Sequence, residues 1–254
     1  MNRKILDPIY LDSENVILTC YFNTKKDPQA GASSQHKDFV DSNSYDYMYS
    51  WYMSMNHIGL SGIIFHDNLS EEFIEKYETD KIKFIKVELG SYSTNDERFI
   101  IYSMYLEKAK YKKVFMTDIS DVFIKKDPFE LIGDDYLHIG KDMEQTPKLG
   151  MNGWCVQKAN QLIQEGKGQL KVNQDFAEMT LMNAGVIGGR LNIVLELIRN
   201  MSKVFEILKS NNNNNMMTLH YVIYKMNLKS KTGYPLTSKF KQFEITSDAC
   251  IIHK

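Results

Sequence analysis

The sequence predicts an α/β fold with a mostly parallel central sheet and helices on both faces. Three observations lead there. Short apolar runs rich in β-branched residues alternate with amphipathic stretches through the first half of the chain, the pattern of strand–helix–strand units. The hydrophobic fraction of 43% is ample for a core that covers such a sheet. One apolar run, "KVFMT" (113–117), stops on Asp118, and a second acid, Asp121, follows. In open parallel sheets ligands bind beyond the carboxyl ends of the strands, so the two acids fall where a ligand is expected.

The elements follow in order. "NVILTCYF" (15–22) is apolar and β-branched and reads as a buried strand. The polar stretch at 23–38 is too long for a simple turn, and long loops beside a first strand are often functional. "SYDYMYSWYMSMNHIGL" (44–60) reads as an aromatic-rich helix, with Trp51 and Tyr52 in the core, and "SGIIFHD" (61–67) as a second strand. Ser70 is an N-cap for "SEEFIEKYE" (70–78), where Glu71 and Glu72 suit the positive end of the helix. "KIKFIKVEL" (81–89) is a third strand. "NDERFIIYSMYLEKAK" (95–110) places Phe99, Tyr102, Leu106 and Ala109 on one face of a helix. "KVFMT" is a fourth strand, and Asp127-Pro128 turns the chain after the acids. The second half is less regular. "DYLHIG" (135–140) and "NAGVIGG" (183–189) read as strands, and 192–209 and 216–227 as helices. The asparagine run Asn211–Asn215 is expected to be a loop. No repeat or linker interrupts the chain, so 1–254 is read as one domain.

Composition narrows the function. A formal net charge of -1 gives no general pull towards nucleic acid or an anionic membrane. The three cysteines, Cys20, Cys155 and Cys250, form no CxxC pair, which speaks against a zinc site and fits a reducing compartment. No run reaches the ~20 apolar residues of a membrane helix, and the first residues lack a signal-peptide core. A cytoplasmic protein without a membrane span is expected.

Asp118 and Asp121 repel each other unless a cation neutralises them. Mn²⁺ or Mg²⁺ suits them, since hard cations prefer oxygen ligands and are commonly shared with phosphate oxygens. The alternative is that both acids are solvated or cap the turn. No GxGxxG and no GxxxxGK[ST] occurs, so neither a dinucleotide fold nor a P-loop is supported. Gly185, Gly188 and Gly189 let a backbone approach a ligand closely or serve packing alone. Thr19, Tyr21 and Asn23 lie at the ligand end of the first strand, where an aromatic can stack on a base and an amide can read its edge; core packing is the alternative for Tyr21.

"VFMTDISDVFIKKDPFEL" (114–131) resembles the core of nucleotide-sugar glycosyltransferases of the GT-A fold, whose pattern is an apolar strand, Asp-x-Asp, apolar residues and a "dPf" turn. The chain order matches over roughly 15–254: an "ILTCYFN" strand, a helix carrying Arg98, the acids, then "LMNAGVIGG" (181–189). The resemblance implies a nucleotide-binding part at about 15–125 and a donor-sugar and acceptor part at about 126–254. One departure is the spacing, Asp-x-x-Asp. Asp121 aligns with the family's second, metal-binding Asp; Asp118 is a metal or a ribose ligand.

The resemblance further implies a metal-dependent transfer of sugar from a nucleoside diphosphate sugar to a glycan, lipid-linked or protein acceptor. A UDP-sugar is favoured and a GDP-sugar is possible as donor. Asn183 would hydrogen-bond the donor's hydroxyls. In glycogenin-like relatives a C-terminal His is the third metal ligand and a nearby Lys contacts the diphosphate, which places His253 and Lys254 in those roles. Arg98 would pair with the diphosphate or with Asp118. The family's acceptor-facing Asp falls near Asn215, which cannot act as a base; Asp175, Glu178 and Asp142 are the substitute candidates. The competing readings are a nucleotidyltransferase that makes the nucleotide sugar, disfavoured because Gly31 is the lone glycine in the loop after Phe22, and a non-catalytic nucleotide-sugar-binding module.

Overall fold

The structure is a computed structural model that describes residues 3–26, 39–142, 145–240 and 244–253. Its first half contains β1 (Lys4–Ile5), β2 (Asn15–Tyr21), α1 (Tyr45–Ile58), β3 (Gly62–His66), α2 (Glu71–Tyr77), β4 (Ile82–Glu88), α3 (Thr94–Leu106), β5 (Lys113–Thr117) and β6 (Val122–Ile124). Then come β7 (Leu137–Lys141), α4 (Gly153–Glu165), β8 (Met182–Arg190), α5 (Leu191–Leu208), α6 (Asn215–Met226), β9 (Ser230–Thr232) and β10 (Ile251–His253). Eight strands form one mixed sheet in the order β1-β4-β3-β2-β5-β8-β7-β9, and β6 pairs with β10 in a separate ribbon.

The pairs β4–β3, β3–β2, β2–β5 and β7–β9 are parallel, and β8 runs antiparallel to both of its neighbours. Strand direction is set by the connections: a helix crossover returns each of β2 to β5 the same way. The reversed β8 brings its first residues, not its last, to the carboxyl end of β5. Met182 to Gly185 therefore lie at the same sheet edge as Asp118.

Helices cover both faces. Val16, Leu18, Phe65, Val114 and Met116 pack towards α3, α5 and α6, while Ile17, Ile64, Phe115 and Val186 pack towards α1 and α2. This odd–even split is the period-2 alternation of a strand buried on both sides, which is why these strands read as continuous apolar runs. Gly188 of β8 exists for the same packing: a Cβ there would run into the Phe115 ring. Trp51 is fully buried and donates its indole N–H to Thr117 Oγ1 at 2.9 Å, pinning α1 to the last residue of β5. Ser70 caps α2 by accepting the Phe73 N–H, as its position predicts.

Two expectations are corrected, and one helix was not foreseen. α3 ends at Leu106, short of Ala109, because the chain turns there through Lys108 and Ala109 N–H bonds to Tyr105 and Leu106. The asparagine run is not all loop: Asn214 and Asn215 are buried and open α6. α4 was not anticipated; its buried face is only Cys155, Ala159 and Leu162, a small stripe at spacings of four and three. Among the described residues no helix is long and apolar enough to cross a membrane.

Candidate functional site

β5 delivers Asp118 to the sheet edge, and a tight turn returns the chain into β6 with Asp121 just before it. β10 pairs with β6 so that His253 lies opposite Val122. The imidazole is thereby buried between the acids rather than frayed at a chain end. His253 Nε2 lies 3.7 Å from Asp118 Oδ2 and 3.6 Å from Asp121 Oδ2. Both separations are too long for direct hydrogen bonds. They are close to the spacing of ligands that share an ion at about 2.0–2.2 Å.

The donor set fits a divalent cation. One oxygen or nitrogen from each of Asp118, Asp121 and His253 lies within 4.8 Å of the others. Both ring nitrogens of His253 and Asp121 Oδ1 are buried without a hydrogen-bond partner. Burying such groups unpaired is costly, so the trio asks for a further partner. Two carboxylates and one imidazole suit Mn²⁺ better than Mg²⁺, which favours oxygen ligands alone. Gly185 keeps the space clear: a Cβ there would collide with Asp118 Oδ2 and lie 2.5 Å from His253 Cε1.

The electrostatics of the trio are interlocked. Burial opposes ionisation of Asp118, but the Arg98 guanidinium and His253 outweigh it and hold the carboxyl well below the usual carboxylate range. Burial also pushes the His253 imidazole down, and the Asp118 and Asp121 carboxylates overcome it and raise it to about 9. In the absence of a cation Arg98 and a protonated His253 together offset the acid pair.

A relay of hydrogen bonds fixes this cluster to β8 and β7. Arg98 Nη1 donates to Asp118 Oδ1, and Nη2 donates to the Ala184 carbonyl at 3.2 Å. The Asp118 N–H donates to the Gly185 carbonyl at 2.8 Å, and the Gly185 N–H donates to Asn183 Oδ1 at 2.7 Å. Asn183 Nδ2 donates to Asp142 Oδ2 at 3.2 Å. Arg98 is thus a largely covered partner of Asp118 rather than a surface arginine, and Asn183, expected to meet the sugar's hydroxyls, uses its oxygen on the Gly185 N–H.

The remaining predicted residues divide. Asn23, two residues past β2, is nearly buried, with neither polar atom of its amide paired. Its backbone N–H and that of Thr24 both donate to Asp67 at the end of β3, at 2.9 and 3.0 Å. Thr19 and Tyr21 offer nothing to a ligand. Thr19 is fully buried and donates to the Thr117 carbonyl, and Tyr21 lies in the α1-side core with its hydroxyl between Asp41 and the Ser44 N–H. β-strand alternation turns both side chains away from the rim. Asp175 is exposed on a short 3-10 turn, bonded to Asn173, and Glu178 pairs with Lys148; neither joins the acid pair. Lys254 and residues 27–38 of the polar loop lie outside the described residues.

Three residues at this edge carried no prediction: Asp67, Asp96 and Glu97. A carboxylate ending the "SGIIFHD" strand was a visible signal for Asp67; nothing local marks the other two as buried. A separate open groove of about 550 Å³ lies along Met179, Tyr224 and Leu228, and none of the acid cluster lines it. No known family model and no curated protein matches the chain.

Proposed function

We propose that the protein is a metal-dependent glycosyltransferase of the GT-A type, moving a sugar from a nucleoside diphosphate sugar, with UDP favoured, to a glycan, lipid-linked or protein acceptor. The observation that carries the reading is the convergence of Asp118, Asp121 and His253, from two distant parts of the chain, at the carboxyl edge of a mostly parallel sheet. A structural role for the acids alone leaves the unpaired atoms of His253 and Asp121 without explanation.

A bound Mn²⁺ would act as a Lewis acid towards a departing diphosphate, stabilising charge as it develops. The chain's own residues prepare that site. Arg98 holds Asp118 ionised and oriented, and Gly185 leaves room for a ligand beside it. Asn183 fixes the Gly185 peptide, while Asn23 presents an unpaired amide at the nucleotide end of the edge. Asp142, held by Asn183, brings a carboxylate to the donor-sugar side. A cytoplasmic setting is part of this reading, supported by three cysteines that form no disulfide.

The test is a panel of UDP-, GDP- and CMP-sugars with Mn²⁺ or EDTA, following thermal stability and nucleotide release. The reading expects metal-dependent stabilisation by one nucleoside diphosphate and slow hydrolysis of one donor. Pyrophosphate-dependent chemistry would point to a nucleotidyltransferase, and binding without turnover to a non-catalytic module.

A further inference from the structure

We infer that the face formed by the start of α4 and the end of α6 docks on an anionic lipid surface. Three observations meet there: an apolar strip, cations without acid partners, and a place beside the start of β8.

The strip is continuous. Met151 and Trp154 are 56% and 45% exposed, on either side of the Asn152 cap that opens α4. The turn before them is bound to the chain ahead of β8. The Leu149 N–H donates to the Met179 carbonyl at 2.9 Å, and a Cβ at Gly150 would lie 3.0 Å from that of Ala177. Met179 in turn lines the open groove with Ile223, Tyr224 and Leu228 at the end of α6. At the far end of α4, Glu165 accepts from Asn212 Nδ2 at 2.7 Å and from Asn214 Nδ2 at 3.4 Å, just ahead of α6. α4 therefore packs on α6 in the opposite sense, and Trp154 falls towards the groove. Single exposed hydrophobics are ordinary on a protein surface, but a contiguous strip beside a groove marks a contact face.

Charge selects the partner. The overall net charge of -1 hides a local asymmetry: between Glu206 and Glu244 the chain carries six lysines and no acid. Lys225 lines the groove and Lys229 follows it, and both are exposed. Neither pairs with a carboxylate among the described residues. Lys225 lies over the Tyr221 and Tyr224 rings at 6.0 and 5.9 Å, and Lys229 over Tyr136 at 5.7 Å. The acids of the neighbouring segments are engaged elsewhere: Glu178 with Lys148, Asp134 with Lys231 and Asp175 with Asn173. Loose lysines beside exposed Trp and Met suit a membrane interface, where apolar side chains sink to headgroup depth and lysines meet the phosphates. A nucleic acid or an acidic peptide would use the lysines and leave Met151 and Trp154 in water.

The place of this face gives it a use. Met179 stands four residues of extended chain before Asn183, roughly 13 Å, and Lys148 bridges Thr180 on the way. A headgroup at the face is thus presented towards the edge that carries the acid cluster. This selects the lipid-linked acceptor among the three acceptor classes, a choice that rests on the glycosyltransferase reading, as the docking itself does not.

The experiment adds vesicles of phosphatidylcholine, with or without phosphatidylglycerol, to the full chain. The chain has two tryptophans and Trp51 is fully buried, so a change in emission reports Trp154. The expected result, with anionic vesicles alone, is a blue shift, protection from iodide quenching and co-sedimentation that weakens with salt. Lys225→Glu combined with Lys229→Glu weakens binding about tenfold or more, since one lysine near an anionic surface is worth about fivefold. Trp154→Ala weakens it as well. Lys76→Glu combined with Lys108→Glu, exposed lysines of α2 and of the turn after α3, changes the net charge equally and leaves binding near that of wild type. Unchanged Trp154 emission with anionic vesicles overturns the inference, as does a control pair as damaging as the face pair. A blue shift on raising protein concentration without vesicles assigns the face to a second copy and overturns it too. Thermal shifts with Mn²⁺ and UDP on the same proteins separate the two readings. Vesicle binding without a nucleotide response keeps the docking face and overturns the glycosyltransferase; a nucleotide response without vesicle binding does the reverse.

Discussion

Replacing Gly185 by Ala isolates the cation site from the fold. A Cβ at this position would lie 2.5 Å from His253 Cε1 and 2.8 Å from Nε2. Ordinary carbon contacts are about 3.5–4.0 Å, so the imidazole must retreat by roughly 1 Å, and Asp118 with it. Metal ligands tolerate displacements of only about 0.2 Å. Loss of a mere supporting contact around a metal commonly costs about 10–100-fold in affinity, and displacing two ligands at once should cost at least that. The fold should survive, with an overpacking penalty of about 1–3 kcal/mol. Gly188→Ala is the control. Its Cβ meets the Phe115 ring on the core side, so it should lower stability by a similar amount and leave the cation site alone. The assay is titration of each variant with Mn²⁺, reading free Mn²⁺ by electron paramagnetic resonance, with circular dichroism for the fold. A folded Gly185→Ala protein that binds Mn²⁺ like wild type would refute the placement of the ion.

Other outcomes follow from the same cluster. Arg98→Ala removes the cation that keeps Asp118 ionised and should cost about 2–3 kcal/mol in stability, partly restored by Mn²⁺. Because the Asp118 carboxyl is depressed in the fold, its contribution is present above about pH 4 and lost as pH falls, so the variant should show a shallower acid limb in urea melts. The His253 imidazole is raised to about 9, so without metal its contribution, on the order of 3 kcal/mol, is fully present below about pH 6.5 and lost as pH rises through about 9. Mn²⁺ needs the deprotonated ring, so its apparent affinity should rise over that same interval, measurable by titration at stepped pH. Trp51→Ala should destabilise by about 3–5 kcal/mol in chemical denaturation, since it empties the α1-side core and frees Thr117 next to Asp118.

What the sequence made legible was whatever depends on near neighbours. "GIIFH" and "KVFMT" announce buried strands because both of their faces are covered, and Ser70 announces α2 because a cap is a local bond. The acid pair and His253 were readable as residue types, since neighbouring carboxylates and an apolar strand ending on His are local patterns. The direction of β8 was not readable, because a strand pattern carries no sign. α4 escaped because its buried face is small, with Trp154 and Val156 exposed on a helix that opens with Gly153. The acidic residues of α3 carry no local sign of burial; only the arrival of Asn214, Arg3 and Lys25 from elsewhere makes Asp96 and Glu97 buried partners. Thr19 and Tyr21 misled for a related reason. Their place near the end of β2 was right, but their hydroxyls are consumed inside the fold.

The most direct measurement is an anomalous difference map from crystals grown with Mn²⁺ and UDP, collected at the manganese edge. The account predicts one strong peak within ligand distance of Asp121, Asp118 and His253, with the nucleotide's phosphates against it. A map in which His253 stays between the two acids with no ion beside it, and manganese is absent or bound elsewhere, would contradict it.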